Sequence, residues 1–233
     1  MNLRGATALI TGGSTGIGQA IASTLTEAGA RVAITGRDER RLAAAAQALK
    51  AHPIRADVTN EADVERTYRE VLAVFDHLDI LVNNAGFGVF KSLVDMDRSN
   101  FDTVFATNVT GPMMMTREAA KHFIGRKHGN IVNICSTASL RGAAGGTAYY
   151  ASKFALRGMT ECWRAELRQY NIRVFLINPS EVLTNFAGME HTRRENSTKL
   201  RAGEVAHLVK AVLEMDDRGF TPELSIFATN PKD

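Results

Sequence analysis

A doubly wound, parallel α/β sheet is the fold that this sequence predicts, on three observations. Short apolar runs recur along the chain, each followed by a stretch of helical periodicity. The connections are short, so every strand hands over to a helix that must pack back onto the sheet. The first run ends in a glycine-rich turn that opens straight into a helix, the start of a βαβ unit. With 233 residues and 45% hydrophobic content, the chain can bury one sizeable core and is short for two. The expectation is a single Rossmann-type domain over residues 1–233, with helices on both faces of about seven strands.

Each element has its own warrant. Ala6 to Ile10 is a short apolar strand, and Thr11 to Gly18 is the turn. Ile17 to Ala28 has helical spacing and stops at Gly29, a residue suited to a C-terminal cap. Arg31 to Thr35 is the second strand, and Asp38 caps a helix of strong helix formers that runs to Lys50. A third strand surrounds Ile54 to Asp57, Asn60 caps a helix over Glu61 to Phe75, and Asp79 to Asn83 is the fourth strand. A long helix from about Ser99 to Arg126, a strand Asn130 to Cys135, a helix Ala148 to Tyr170 and a strand Ile172 to Ile177 follow. The helix Gly203 to Met215 and the strand Glu223 to Ala228 close the series.

Composition excludes several classes. A net charge of +3 and an isoelectric point near 9.0 come from Lys and Arg spread along the chain, which argues against nucleic-acid binding. No run reaches membrane-spanning length and the N-terminus lacks a signal-peptide core, so a cytoplasmic protein with no membrane partner is expected. Cys135 and Cys162 form neither a metal-ligand spacing nor a disulfide framework, and no metal is predicted.

The residues that call for chemistry lie between Ser136 and Lys153. Tyr149 and Lys153 are four apart, so on a helix they share a face, one turn from each other. An ammonium ~4 Å from a phenol, at an effective dielectric of ~20, contributes about 4 kcal/mol toward the phenolate that proton transfer leaves behind. Tyr149 is therefore a candidate general acid, although such pairs also fall four apart by chance in many helices. Ser136 ends an apolar strand, which puts its hydroxyl at the carboxyl edge of the sheet, where open α/β folds bind ligands. Tyr150, three residues from Lys153, reads as packing.

The turn Thr11-Gly-Gly-Ser-Thr-Gly-Ile-Gly18 sits between a strand and a helix, the context in which glycines admit a pyrophosphate to a helix N-terminus. At the end of the second strand stands Gly36-Arg37 rather than the acid that accepts from ribose hydroxyls, and a guanidinium there suits a 2′-phosphate. NADP(H) is the cofactor this pattern indicates, with Arg37 as a mere surface charge the bland alternative.

Together these segments resemble the short-chain dehydrogenase/reductase family over residues 6 to about 184, with 3-oxoacyl-acyl-carrier-protein reductases as the nearest analogy. The cofactor turn supplies Gly12, Ser14, Thr15, Gly16, Ile17 and Gly18. Asp57 and Val58 resemble the pair at the adenine, and Asn83-Asn84-Ala85-Gly86 the central-strand motif. Asn108 matches the family's active-site asparagine, and Ser136 precedes Tyr149 by the family's thirteen positions. The resemblance implies that Tyr149 is the acid/base and that Ser136 polarises the substrate oxygen. It further implies that Lys153 holds the nicotinamide ribose and eases proton loss from Tyr149, while Asn108 holds a relay water. Pro179, Val182 and Thr184 fit the segment at the nicotinamide amide, with Ser180 where the family has glycine. Residues 185–200 resemble its substrate loop.

The activity implied is NADPH-dependent reduction of a ketone or aldehyde, with a 3-oxoacyl thioester as one substrate. The alternatives are an NAD-dependent alcohol or sugar dehydrogenase and a non-catalytic dinucleotide sensor, against which the intact Ser136, Tyr149 and Lys153 argue. Arg126, Lys127 and Arg141 are expected as basic residues near the site that an acidic carrier protein could use. A homodimer through the helices Ser99 to Arg126 and Ala148 to Tyr170 is expected, covering Met114, Phe154 and Trp163, and a tetramer is the other assembly the resemblance allows.

Overall fold

Strand residues alternate between two apolar layers, and that alternation builds the sheet. Ala8, Ile10, Val32, Ile34, Ile80 and Val82 face one core, whereas Leu9, Ala33 and Leu81 face the other. The computed structural model describes residues 1–184, 186 and 198–230. Its strands are β1 (Thr7–Ile10), β2 (Arg31–Gly36), β3 (His52–Arg55), β4 (Ile80–Asn83), β5 (Gly129–Ile134), β6 (Ile172–Pro179) and β7 (Glu223–Ile226). They pair in parallel in the order β3-β2-β1-β4-β5-β6-β7. The direction of winding reverses between β1 and β4, so a crevice opens at the carboxyl ends of those two strands.

Among the described residues, seven α-helices cover the two faces: α1 (Gly16–Glu27), α2 (Glu39–Leu49), α3 (Glu61–Phe75), α4 (Arg98–Phe105), α5 (Gly111–Arg126), α6 (Thr147–Leu167) and α7 (Ala202–Glu214). Ile21 and Leu25 of α1, Leu42 of α2 and Val205 and Val209 of α7 pack on one face. Val64 and Val71 of α3, Met115 and Phe123 of α5 and Leu167 of α6 pack on the other. The two predicted caps are made: Asp38 accepts from Arg41 N at 2.9 Å and Asn60 from Asp63 N at 3.2 Å.

Two boundaries differ from expectation. The third strand is His52–Arg55 and not Ile54 to Asp57, because β3 lies at the sheet edge, where Pro53 is tolerated despite its missing N–H. Asp57 instead stands in the turn after it, accepting from Thr59 N at 2.9 Å. The expected long helix is two helices, α4 and α5, joined by a π-turn over Ala106–Thr110. Pro112 carries no N–H, so the carbonyl of Asn108 has no donor four residues on, and the chain widens there. Met114 is 6% exposed, already covered within the chain, so it does not call for a dimer partner as expected; Phe154 does remain 44% exposed.

Away from the crevice, Asp79 ties the opposite ends of β1, β4 and α5 together. It accepts from Thr7 N at 3.0 Å and from Arg126 at 2.9 Å, with His77 Nε2 at 3.2 Å. Burial pushes the carboxyl up, but the Thr7 N–H, Arg126 and His77 outweigh it and hold Asp79 below the usual carboxylate range. A depressed folded pKa means stability that is present above the unfolded value near ~4 and is lost as pH falls through the folded one. Asp79→Asn should cost about 1–3 kcal/mol at pH 7. Urea melts of both proteins at pH 7 and pH 3 should show the gap narrowing in acid, and an equal gap at both pH values would contradict this role.

Candidate active site

Ser136 lies two residues past the end of β5, with extended backbone, and its Oγ accepts from Ala138 N at 3.1 Å, which begins a 3-10 turn over Thr137–Ser139. The first two turns of α6 bring Tyr149 and Lys153 to the same end of the sheet. Lys153 is buried, and its Nζ donates to Ile134 O at 3.2 Å, two residues before Ser136. The same ammonium lies 5.7 Å from the centroid of the Tyr149 ring. Cys135 sits between Ile134 and Ser136 in sequence and donates from Sγ to Lys153 O at 3.4 Å. Burial pushes its thiol up, so it stays protonated and offers no thiolate nucleophile.

The π-turn aims Asn108 into this crevice. Its Oδ1 accepts from Phe87 N at 3.1 Å and its Nδ2 donates to Phe87 O at 2.8 Å, so one side chain pins the loop after β4. The same amide donates to Ser152 Oγ at 3.0 Å, and Ser152 donates to Tyr149 O at 2.7 Å. Gly86 leaves the space between these groups open: a Cβ there would lie 3.1 Å from Asn108 Oδ1 and 3.8 Å from Lys153 Nζ.

The turn after β1 is held against β4. Asn84 Nδ2 donates to Thr11 O at 2.9 Å and to Gly12 O at 3.2 Å, and Ala85 N donates to Thr11 Oγ1 at 3.0 Å. Gly18 is required by close approach, since a Cβ would come within 2.4 Å of Gly12 O and of Asn84 Nδ2. Gly16, at φ +56, takes the left-handed conformation glycine allows, beside Thr184. Thr15 stands before α1 without a side-chain cap, whereas α2, α3 and α4 each have one. The first N–H groups of α1, Ile17 among them, are therefore left for an anion, as the pyrophosphate of a dinucleotide requires. At the end of β2, a Cβ on Gly36 would lie 3.2 Å from Ser14 Oγ, and Arg37 Nη1 lies 3.9 Å from Asp57 Oδ2. Val58 packs beneath Gly111, where a Cβ would come within 2.9 Å.

These features have close counterparts among known proteins. The model of the short chain dehydrogenase family matches residues 6–195. The chain belongs to that family. It is 32% identical over 195 residues to the 3-oxoacyl-acyl-carrier-protein reductase of Aquifex aeolicus, covering 81% of this chain and 79% of that one. A metagenomic short-chain oxidoreductase solved in complex with NADP is 32% identical, with a TM-score of 0.86 over 99% of this chain and 100% of that one. The 3-ketoacyl-acyl-carrier-protein reductase of Brucella melitensis, complexed with NADH, is 28% identical, with a TM-score of 0.91 over 97% and 98%.

In this member of the short-chain dehydrogenase family the last segment expected at the cofactor runs from Pro179, the end of β6. Ser180 N donates to Ile226 O at 2.9 Å, and its backbone is not in the left-handed region, so the residue does without glycine there. Val182 pairs with Leu200, and Leu183 N donates to Leu200 O at 2.8 Å. Most of the expected substrate loop, 185 and 187–197, lies outside the described residues. Arg126 and Lys127 were expected near the site but stand at the far end of α5, where Arg126 donates to Leu78 O; Arg141 follows the 3-10 turn after Ser136. Tyr150 packs as expected, its ring crossing Gly146, where a Cβ would come within 2.3 Å.

Sequence reading missed Ser152, which looks like any small helix residue until Asn108 is seen to reach it. It also missed Ser139 and Asn178. Ser139 Oγ donates to Asn178 Oδ1 at 3.0 Å, and Asn178 Nδ2 donates to Glu223 at 2.9 Å, so the turn after Ser136 is braced against β6 and β7.

Proposed function

We propose that this chain is an NADPH-dependent carbonyl reductase acting on a ketone or aldehyde, with Tyr149 as the general acid. The observation that carries the proposal is the grouping of Lys153 Nζ with the Tyr149 ring and with Ile134 O, two residues before Ser136. A sensor that only binds dinucleotide has no use for a phenol placed beside that ammonium. NADPH, when bound, supplies hydride to the carbonyl carbon. Ser136 donates a hydrogen bond to the carbonyl oxygen, which gains negative charge as its double bond opens. Tyr149 gives that oxygen a proton, and Lys153 favours the phenolate left behind. Asn108, through Phe87 and Ser152, fixes the loop after β4 and the backbone of Tyr149 relative to each other.

Gly12, Ser14, Thr15, Gly16, Ile17 and Gly18 would hold the pyrophosphate. Asp57, Val58, Asn84, Ala85 and Gly86 would flank the adenosine and the ribose, and Pro179, Val182 and Thr184 the nicotinamide. Arg37, 73% exposed and loosely paired with Asp57, is free to take a 2′-phosphate, which supports NADPH over NADH. The 3-oxoacyl thioesters enter as one substrate class among several. Initial rates of NADPH and NADH oxidation with a panel of ketones, quinones and acyl thioesters test the proposal. NADPH should be consumed with at least one class, faster than NADH. Consumption of neither would remove the reductase reading, and a preference for NADH would put an NAD-linked dehydrogenase in its place.

A further inference from the structure

Three aromatic rings from three separate segments meet where a substrate would have to lie. Phe90, from the loop after β4, has its ring centroid 5.4 Å from that of Tyr149. Phe186, beyond β6, approaches Tyr149 from 5.5 Å at 62°. Gly88 lies beneath both rings: a Cβ on it would come within 2.9 Å of Phe90 Cε2 and 3.2 Å of Phe186 Cε1. Rings at 4.5–7 Å and steep angles form favourable edge and tilted contacts, and the same faces can receive a further flat group.

The surroundings are apolar for the same stretch of chain. Phe90 is 45% exposed, Leu93 77% and Val94 91%, and Leu140, from the loop after β5, is 41% exposed. The polar side chains of this segment are engaged with one another: Lys91 with Asp97 at 3.0 Å, Ser92 with Asp95, and Asn100 with Asp97. Lys91 N also donates to Gly145 O at 2.7 Å, which holds the apolar segment against the loop leading into α6. A polyol would need unengaged donors and acceptors at this place.

We infer that the site takes a carbonyl bearing a flat apolar group, an aryl ketone or aldehyde, which Phe90 and Phe186 hold against Tyr149. This rests on the reductase reading above and narrows its substrate class. Phe90 and Phe186 are specificity-determining residues in this account, and Gly88 is the residue that lets their rings close.

The test compares acetophenone, 2-butanone and dihydroxyacetone as probes with the full chain. Wild type should show kcat/KM for acetophenone at least tenfold above both other ketones. The ratio of acetophenone to 2-butanone should fall roughly three- to tenfold in Phe90→Leu and again in Phe186→Leu, substitutions that keep apolar volume and remove the ring. Gly88→Ala, which keeps both rings but pushes them apart, should lower it too. A ratio near one in wild type, or one that none of the three variants moves, overturns the inference even though NADPH is consumed. Calorimetric binding of acetophenone and 2-butanone to the protein saturated with NADP⁺ needs no turnover. Tighter binding of acetophenone, weakened in Phe90→Leu, supports the aromatic site even if no ketone is reduced, in which case the reductase reading alone fails. Equal binding of the two ketones overturns the inference.

Discussion

Tyr149→Phe should lower turnover by a hundredfold or more while leaving NADPH binding intact. General acids contribute ~10²- to 10⁴-fold, and the substitution removes one hydroxyl and no carbon. The Phe ring keeps the contacts with Phe90, Phe186 and Tyr150, at centroid distances of 5.4, 5.5 and 6.0 Å, so the pocket wall stays in place. The loss should therefore appear in kcat, with the dissociation constant for NADPH unchanged by fluorescence titration. Tyr150→Phe is the control. Its ring lies over Gly146, and if it loses as much as Tyr149→Phe, the assignment of the acid is wrong.

Arg37→Ala should weaken NADPH binding by roughly ten- to a hundredfold and leave NADH nearly untouched. A charged hydrogen bond contributes ~1.5 to 3 kcal/mol, and the 2′-phosphate is the only part of the cofactor that separates the two dinucleotides. The contact that Arg37 makes within the chain, 3.9 Å to Asp57 at an exposed position, gives it little to lose on engaging a phosphate. Adding Gly36→Asp should push the ratio further toward NADH, by repelling the phosphate and accepting from the ribose hydroxyl. The new Cβ meets Ser14 Oγ at 3.2 Å, a hydroxyl that can turn aside. The ratio of kcat/KM for NADPH over NADH in wild type and both variants is the measurement. If Arg37→Ala leaves it unmoved, the chain reads its cofactor by other groups.

What the sequence made legible was whatever local pattern determines. The apolar run from Ala6 to Ile10 and the capping residues Asp38 and Asn60 announce strands and helices whatever lies around them. The strand-turn-helix setting of Gly12 to Gly18 did the same for the cofactor turn. The edge strand was misplaced by two residues because Pro53 masks a pattern that only its place in the sheet explains. The π-turn at Asn108 escaped notice because the apolar spacing of α4 and α5 continues across it, and a single missing N–H at Pro112 marks it. Arg126 and Lys127 were mistaken for neighbours of the site, since closeness in sequence to β5 does not say at which edge of the sheet a helix ends. The meeting of Phe90, Tyr149 and Phe186 could not be read at all, as it joins three segments far apart in the chain.

The most direct measurement of the central claim follows a labelled hydride. The protein is mixed with NADPH carrying deuterium at both C4 positions of the nicotinamide and with acetophenone, and the products are examined by mass spectrometry alongside absorbance at 340 nm. One alcohol should form for each NADPH oxidised, with deuterium on the carbinol carbon, and product formation should slow at least a hundredfold in Tyr149→Phe. Alcohol without the label, or equal rates in wild type and Tyr149→Phe, would contradict hydride transfer assisted by this tyrosine.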